Sequence, residues 1–165
     1  MNVLLDEITI RTAPKAGDLG YVIYLHGDLY GREYGFGGQF EIYVAKGVAE
    51  FFENYDSSRD RIWLAEHKGK VISSLVLMHR EDHTAQLRYF LIHPNYRGIG
   101  LGKRLMELWM SFAHKAGYQR AFLLTADELD AAISLYTRHG FTLTSAHDST
   151  AFGRPLREQR YDAQL

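Results

Sequence analysis

Near the middle of the chain, Tyr96-Arg97-Gly98-Ile99-Gly100-Leu101-Gly102-Lys103 separates two segments of different hydrophobic period. Before it, Ala85 to His93 reads as a β-strand. After it, Leu101, Leu105, Leu108, Trp109 and Phe112 recur on one helical face up to Gly117, which is placed to end the helix. A strand that passes through such a turn into a helix leaves the first helical N–H groups unpaired and the positive end of the helix dipole at the turn. Glycines at 98, 100 and 102 permit unusual torsions and expose consecutive amides, while Arg97, Lys103 and Arg104 add charge at the rim. The segment suits a bound anion such as a pyrophosphate, although glycines at strand-to-helix turns also serve close packing.

Two other phosphate motifs do not fit. A P-loop needs glycine where this chain has Arg97 and Ser or Thr where it has Arg104. A dinucleotide fingerprint needs glycine or alanine at Lys103, and it lies near the first strand of a βαβ unit rather than mid-chain.

The rest of the chain sets the fold class. Ile8 and Ile10 predict a first strand, and Asp18 is placed to cap a helix carrying Leu19, Val22, Ile23, Leu29 and Tyr30. A glycine-broken loop over 31–38 leads to a second helix with Phe40, Val44, Val48, Phe51 and Phe52. Strands follow at Arg61 to Glu66 and Val71 to Met78, joined at Lys68-Gly69, and a turn over 80–83 leads to the third. Beyond the central helix come a strand at Arg120 to Thr125 and a helix capped by Asp127 and closed by Gly140. A strand beginning at Phe141 to Thr144 ends the pattern. The order is strand, two helices, three strands, helix, strand, helix, strand, which predicts an α/β mixed sheet rather than a doubly wound one. With 165 residues, one domain spanning 1–165 is expected.

Composition removes several functions. Nineteen Lys and Arg nearly balance twenty Asp and Glu, so no broad field favours nucleic acid or an anionic membrane. Cysteine is absent, which excludes disulfides, thiolate metal sites and a cysteine nucleophile. The short apolar run at the N-terminus is no signal or spanning segment, and a cytoplasmic location is expected. His79 and His83 have ligand spacing only on a helix; at a hairpin turn, without a third ligand, they predict no metal.

The segment Ile92-His93-Pro94-Asn95-Tyr96-Arg97-Gly98-Ile99-Gly100-Leu101-Gly102 resembles the acetyl-CoA signature R/Q-x-x-G-x-G/A of the GNAT superfamily of N-acetyltransferases. A second family pattern, L-Y-x-x-x-G-F, stands at Leu135-Tyr136-Thr137-Arg138-His139-Gly140-Phe141. Gly17-Asp18-Leu19-Gly20-Tyr21, residues 29–35 and Ser149-Thr150-Ala151-Phe152-Gly153 further resemble the acetyltransferase half of bacterial MarR/GNAT fusion proteins, without their winged helix. The resemblance implies a mostly antiparallel sheet with a splayed strand pair, flanked by about four helices. It also implies acetyl-CoA as cosubstrate, with pantetheine along the backbone of Phe90, Leu91 and Ile92. Arg97, Gly98, Ile99, Gly100, Leu101, Gly102 and Lys103 would then hold the pyrophosphate. Phe90 and Ile92 serve the core under either reading.

By the same resemblance Tyr136 is the general acid for the departing thiolate, its phenol protonated at neutral pH, and no covalent nucleophile is needed. Glu33 and Glu41, beside the loop over 31–38, are candidates for the base or for acceptor binding, with His26, His79 and His83 behind them. Many family members carry asparagine seven positions before the tyrosine, where this chain has Leu129; the fusion proteins carry one where it has Ala126. The acceptor is expected to be a small-molecule or peptide amine, with Tyr34 and Phe36 as aromatic walls beside Arg32. A homodimer through a sheet edge is compatible with the pattern. A non-catalytic acyl-CoA-binding sensor or interaction domain would keep the glycine turn and need no acid.

Overall fold

In the computed structural model, which describes residues 3–165, the strands are β1 (Thr9–Arg11), β2 (Arg61–His67), β3 (Lys70–Arg80), β4 (Thr84–Ile92), β5 (Arg120–Ala126), β6 (Thr142–Ser149) and β7 (Leu156–Gln164). The helices are α1 (Asp18–Tyr34), α2 (Gly38–Glu53), α3 (Leu101–Lys115) and α4 (Asp130–Arg138). One sheet runs in the order β1-β2-β3-β4-β5-β7-β6, and its neighbours pair antiparallel except β4 with β5. A parallel pair needs a long crossover, and α3 supplies it. Between β2 and β3 both turn residues have positive φ, 50° at Lys68 and 76° at Gly69, the hairpin geometry that matches strand twist.

Helices cover both sheet faces, so β3 is buried continuously from Val71 to Met78, including the polar Ser73 and Ser74. On one face α1 and α2 pack Val22, Leu25, Leu29, Val44 and Val48 against Ile62, Leu64 and Val76. On the other, Leu105, Met106 and Trp109 of α3 pack against Trp63, Leu75, Leu77 and Leu123. The buried Trp109 indole donates to the Val76 carbonyl at 3.1 Å, so no polar group is stranded there.

Several boundaries differ from the sequence reading. Asp18 is not the cap of α1. Gly17 is, with φ 92°, and Asp18 is the first helical residue, its carboxylate held by both Arg11 terminal nitrogens at 2.7 Å and by the Lys15 N–H. Asp127 does not cap α4 either; Leu129 takes that position without a side-chain bond, and the Asp127 N–H donates to the Arg157 carbonyl. The glycine-broken loop is shorter than predicted, because α1 runs through Gly31 to Tyr34 and α2 starts at Gly38. β6 begins at Thr142 and extends to Ser149. The strand β7 was not predicted. Only Leu156, Tyr161 and Ala163 of it are buried, so its alternation is broken, and its place between β5 and β6 comes from long-range pairing.

Candidate active site

The site starts from a defect in β4. Ser74 pairs with Leu91 and Val76 with Arg88, so Tyr89 and Phe90 together oppose Leu75, which is a β-bulge. Tyr89 has φ 51°, uncommon for a bulky side chain. The buried hydroxyls of Ser73 and Ser74 donate to the carbonyls of Leu91 and Tyr89, each at 2.7 Å, and satisfy the irregular backbone. The extra residue shifts the phase of the strand. Ala85 and Leu87 belong to the core under α3, and beyond the bulge so do Phe90 and Ile92. Arg88 and Tyr89, though consecutive, therefore both project toward α2.

At the same point β4 and β5 separate. Their last paired residues are Leu87 and Leu123, yet β4 continues to Ile92 and β5 to Ala126. Two cavities meet in this splay and share Tyr30, Phe90 and Leu129. One, of about 870 Å³ counting its open mouth, runs along Phe90, Leu91 and Ile92 to Arg97, Gly98 and Gly102. The other, of about 770 Å³ on the same basis, is walled by aromatic rings, including Tyr30, Phe36, Phe40 and Phe152, and reaches Tyr136 and Glu158.

The glycine turn has the conformation that its composition allows. Gly98 and Gly100 have φ 79° and 89°, where a side chain would be strained, and Gly100 holds the cap position of α3. A Cβ on Gly98 would point into open space. Gly102 also packs closely, since an added Cβ would stand 3.1 Å from a Leu135 methyl and 3.4 Å from one of Ile92. Leu101 is buried and Ile99 packs on the core, while Lys103 is exposed and lies 3.8 Å from Glu107. Arg97 turns back along the turn: its Nε donates to the Ile92 carbonyl at 2.9 Å and its Nη2 to Glu33 of α1 at 3.0 Å.

Burial sets the protonation states. Tyr136 is almost fully buried, and loss of water, then the nearby Tyr30 phenol, raises its pKa well above the usual phenol range. It is neutral at pH 7. Tyr30 is raised by the same loss of water. His26 in α1 is buried and its pKa is lowered to about 4 by desolvation, so the imidazole is neutral. Its Nδ1 donates to the Val22 carbonyl at 2.8 Å, which leaves Nε2 as an acceptor without a partner in the chain. The Tyr89 hydroxyl is also buried without a partner.

The structure sorts the sequence candidates between these cavities. Phe90, Leu91, Ile92, Arg97, Gly98 and Gly102 line the glycine-turn cavity, and Tyr136 lines the aromatic one. Glu33 stands in the glycine-turn cavity, paired to Arg97. Glu41 lies against α1, where a Cβ on Gly27 would come within 2.7 Å of its Oε2, and it is not among the lining residues of either cavity. His79 bonds the Tyr118 hydroxyl at 3.1 Å, and His83 sits in the turn before β4 with φ 52°. Phe36 lines the aromatic cavity and Tyr34 the other, while Arg32 pairs with Asp28 on the surface of α1. Leu129 and Ala126 make apolar wall. Sequence reasoning did not pick out Arg88, Tyr89, Tyr30 or Glu158. Glu158 lies on the unread β7, and the bulge that pairs Arg88 with Tyr89 carries no local sequence signal.

Residues 27–141 match the sequence model of the Acetyltransferase (GNAT) family. The chain is 31% identical over 111 residues to N-acetyltransferase family 8 member 2 of Rattus norvegicus, covering 62% of this chain and 49% of the relative. It is 30% identical over 95 residues to the uncharacterized N-acetyltransferase YjgM of Escherichia coli, covering 56% and 57%. The chain thus spans about half the length of the curated relatives it matches. Among solved structures, yncA of Salmonella typhimurium, determined with its cofactor acetyl-CoA, superposes with a TM-score of 0.75 at 21% identity, over 96% of this chain and 94% of that one. That likeness carries the fold. Since the family match covers more than half of the residues, the chain belongs to the acetyltransferase (GNAT) family.

Proposed function

We propose that the chain, acting as one domain, transfers an acetyl group from acetyl-CoA to a primary amine by direct attack in a ternary complex. The observation that carries this reading is the splay itself: a stretch of β4 left unpaired on its β5 side between two cavities, with the glycine turn at one end and the neutral phenol of Tyr136 at the other. The fit to the cofactor rests on the open edge of β4 at 90–92, the space above Gly98, and the unpaired amides at the start of α3. Bound acetyl-CoA supplies the thioester carbonyl that the amine attacks. Backbone groups of Phe90, Leu91 and Ile92 hold the pantetheine arm, and the turn from Arg97 to Lys103 holds the pyrophosphate.

Glu158 is the carboxylate lining the aromatic cavity, and we assign to it, ahead of Glu33 and Glu41, the removal of the amine proton. Tyr136 gives its phenolic proton to the sulfur as the carbon–sulfur bond breaks. The burial that makes Tyr136 a weak acid equally disfavours a bare thiolate beside it, so donor and acceptor stay matched. Most of the rate comes from holding amine and carbonyl in one geometry. Within the family, residues 17–21, 29–35 and 149–153 relate the chain to the acetyltransferase half of MarR/GNAT fusions. We place the reaction in the cytoplasm; no helix among the described residues is long and apolar enough to cross a membrane. Calorimetric titration with acetyl-CoA, followed by a thiol-release assay over an amine panel, tests the proposal. Binding without turnover on any amine would assign the site to an acyl-CoA sensor, and absence of binding would remove both readings.

A further inference from the structure

The aromatic cavity holds one cation, and no carboxylate neutralises it. Arg88, the last residue in register before the bulge, lies on the α2 side of β4 by ordinary alternation, and the bulge brings Tyr89 to the same side; its guanidinium lies over Tyr89 at 4.7 Å and Tyr43 at 5.5 Å. Its Nη2 donates to the Tyr43 hydroxyl at 3.1 Å and its Nη1 contacts the Met78 sulfur at 3.8 Å. Among the described residues it enters no ion pair. Gly47 of α2 makes room for this arrangement: a Cβ there would meet the Tyr89 hydroxyl at 1.9 Å and the two Arg88 nitrogens at 3.0 and 3.2 Å. The Tyr89 hydroxyl, buried without a partner, and the guanidinium thus both pack against α2 at Gly47. A guanidinium fixed between aromatic faces, with donors to spare, is preorganised for a planar anion.

We propose that the acceptor is an amine bearing a carboxylate, of the size of a free amino acid with an apolar side chain, and that Arg88 binds that carboxylate while the aromatic walls take the side chain. The inference rests on the acetyltransferase reading of the same site. One guanidinium matches a single negative charge. Glu158 on β7, the strand beyond β5, would repel a phosphate dianion, yet it suits the amino end of a zwitterion. The cavity's imidazole, His26, is neutral and adds no charge. Arg88 is a specificity-determining residue here, separate from the proton transfers at Tyr136 and Glu158.

The test compares L-phenylalanine, L-leucine and L-methionine with their C-terminal amides, on the full chain. Two readouts are used: thiol release with acetyl-CoA, and calorimetric binding of each compound to the protein saturated with CoA. We expect kcat/KM for the acids to exceed that for the amides by about ten- to a hundredfold, the usual span for a hydrogen-bonded charge. Arg88→Met should erase that ratio through KM while acetyl-CoA affinity stays as in the wild type, and Arg88→Lys should restore part of it. Should Arg88→Met not fold, Tyr43→Phe, which keeps the ring and removes the hydroxyl that orients the guanidinium, should lower the same ratio by a smaller factor. Amides used as well as acids, or an unchanged ratio in the folded variants, overturns the inference, as does acetyl-CoA binding with no acid bound or acetylated. Failure of acetyl-CoA to bind counts against the acetyltransferase reading instead; acid binding that depends on Arg88, measured without cofactor, would then still support the carboxylate site, and its absence would overturn it.

Discussion

Ser74 in β3 donates its hydroxyl to the carbonyl of Tyr89 at 2.7 Å, and this bond fixes the bulge from which both the splay and the Arg88–Tyr89 pair follow. Ser74 is buried, so no water replaces the lost donor in a Ser74→Ala variant. A buried carbonyl left unsatisfied costs about 1–3 kcal/mol. Urea denaturation should show a loss of that size, and because the bulge shapes the edge of β4, acetyl-CoA affinity should fall with it. Full stability and full affinity in Ser74→Ala would mean that the bulge is held by the strand pairing alone.

Gly100 should tolerate no side chain without cost to the cofactor. Its φ of 89° is strained for any other residue, and it caps α3 where the amides point at the proposed pyrophosphate. Little crowds it, since the nearest atom to an added Cβ is a Leu5 methyl at 3.7 Å. Gly100→Val should therefore fold and bind acetyl-CoA much more weakly, by calorimetry. A folded variant with wild-type affinity would move the pyrophosphate away from this turn.

His26 predicts a pH dependence of stability. Its folded pKa, about 4, lies below the usual 6.5, so the unfolded chain takes up a proton that the fold rejects. Its contribution is fully present above pH 6.5 and is lost as pH falls toward 4. The loss is on the order of 3 kcal/mol at its limit. Urea midpoints measured across that range should fall less steeply in His26→Gln than in the wild type. Parallel curves would show that His26 takes up its proton in the folded protein as readily as in the unfolded chain.

How far the sequence reveals this molecule depends on the range of the interactions. The glycine turn, the amphipathic α3 and the hairpin at Lys68-Gly69 are local patterns, and each lies where periodicity and turn chemistry put it. The caps were less legible. Asp18 has the right residue type but answers to Arg11, seven residues back on β1, rather than to the helix amides, and Asp127 stands outside α4 altogether. β7 lacks clean alternation because it is built between two strands whose registers, not its own side chains, select it. Glu158 was hidden with it. Arg88 was hidden differently: strict alternation assigns it and Tyr89 to opposite faces, and only the long-range pairing to Ser74 and Val76 puts them together.

Tyr136→Phe isolates the proton donor from the packing. The Tyr136 ring lies 6.2 Å from Phe90 and 6.3 Å from Phe141, contacts that phenylalanine retains, so fold and acetyl-CoA affinity should change little. The hydroxyl proton is what is lost, and general-acid catalysis is worth about 10² to 10⁴-fold. Because burial holds Tyr136 neutral well past the ordinary phenol range, the wild type should show no decline in kcat from this group up to pH 9. The experiment compares kcat and acetyl-CoA affinity in both proteins, with an amine found by the panel, from pH 6 to 9. A decline in kcat confined to the variant's chemistry, with affinity unchanged, assigns the proton to Tyr136. Equal kcat in the two proteins would reduce Tyr136 to a packing role and turn attention to Tyr30, the half-buried phenol that lines both cavities.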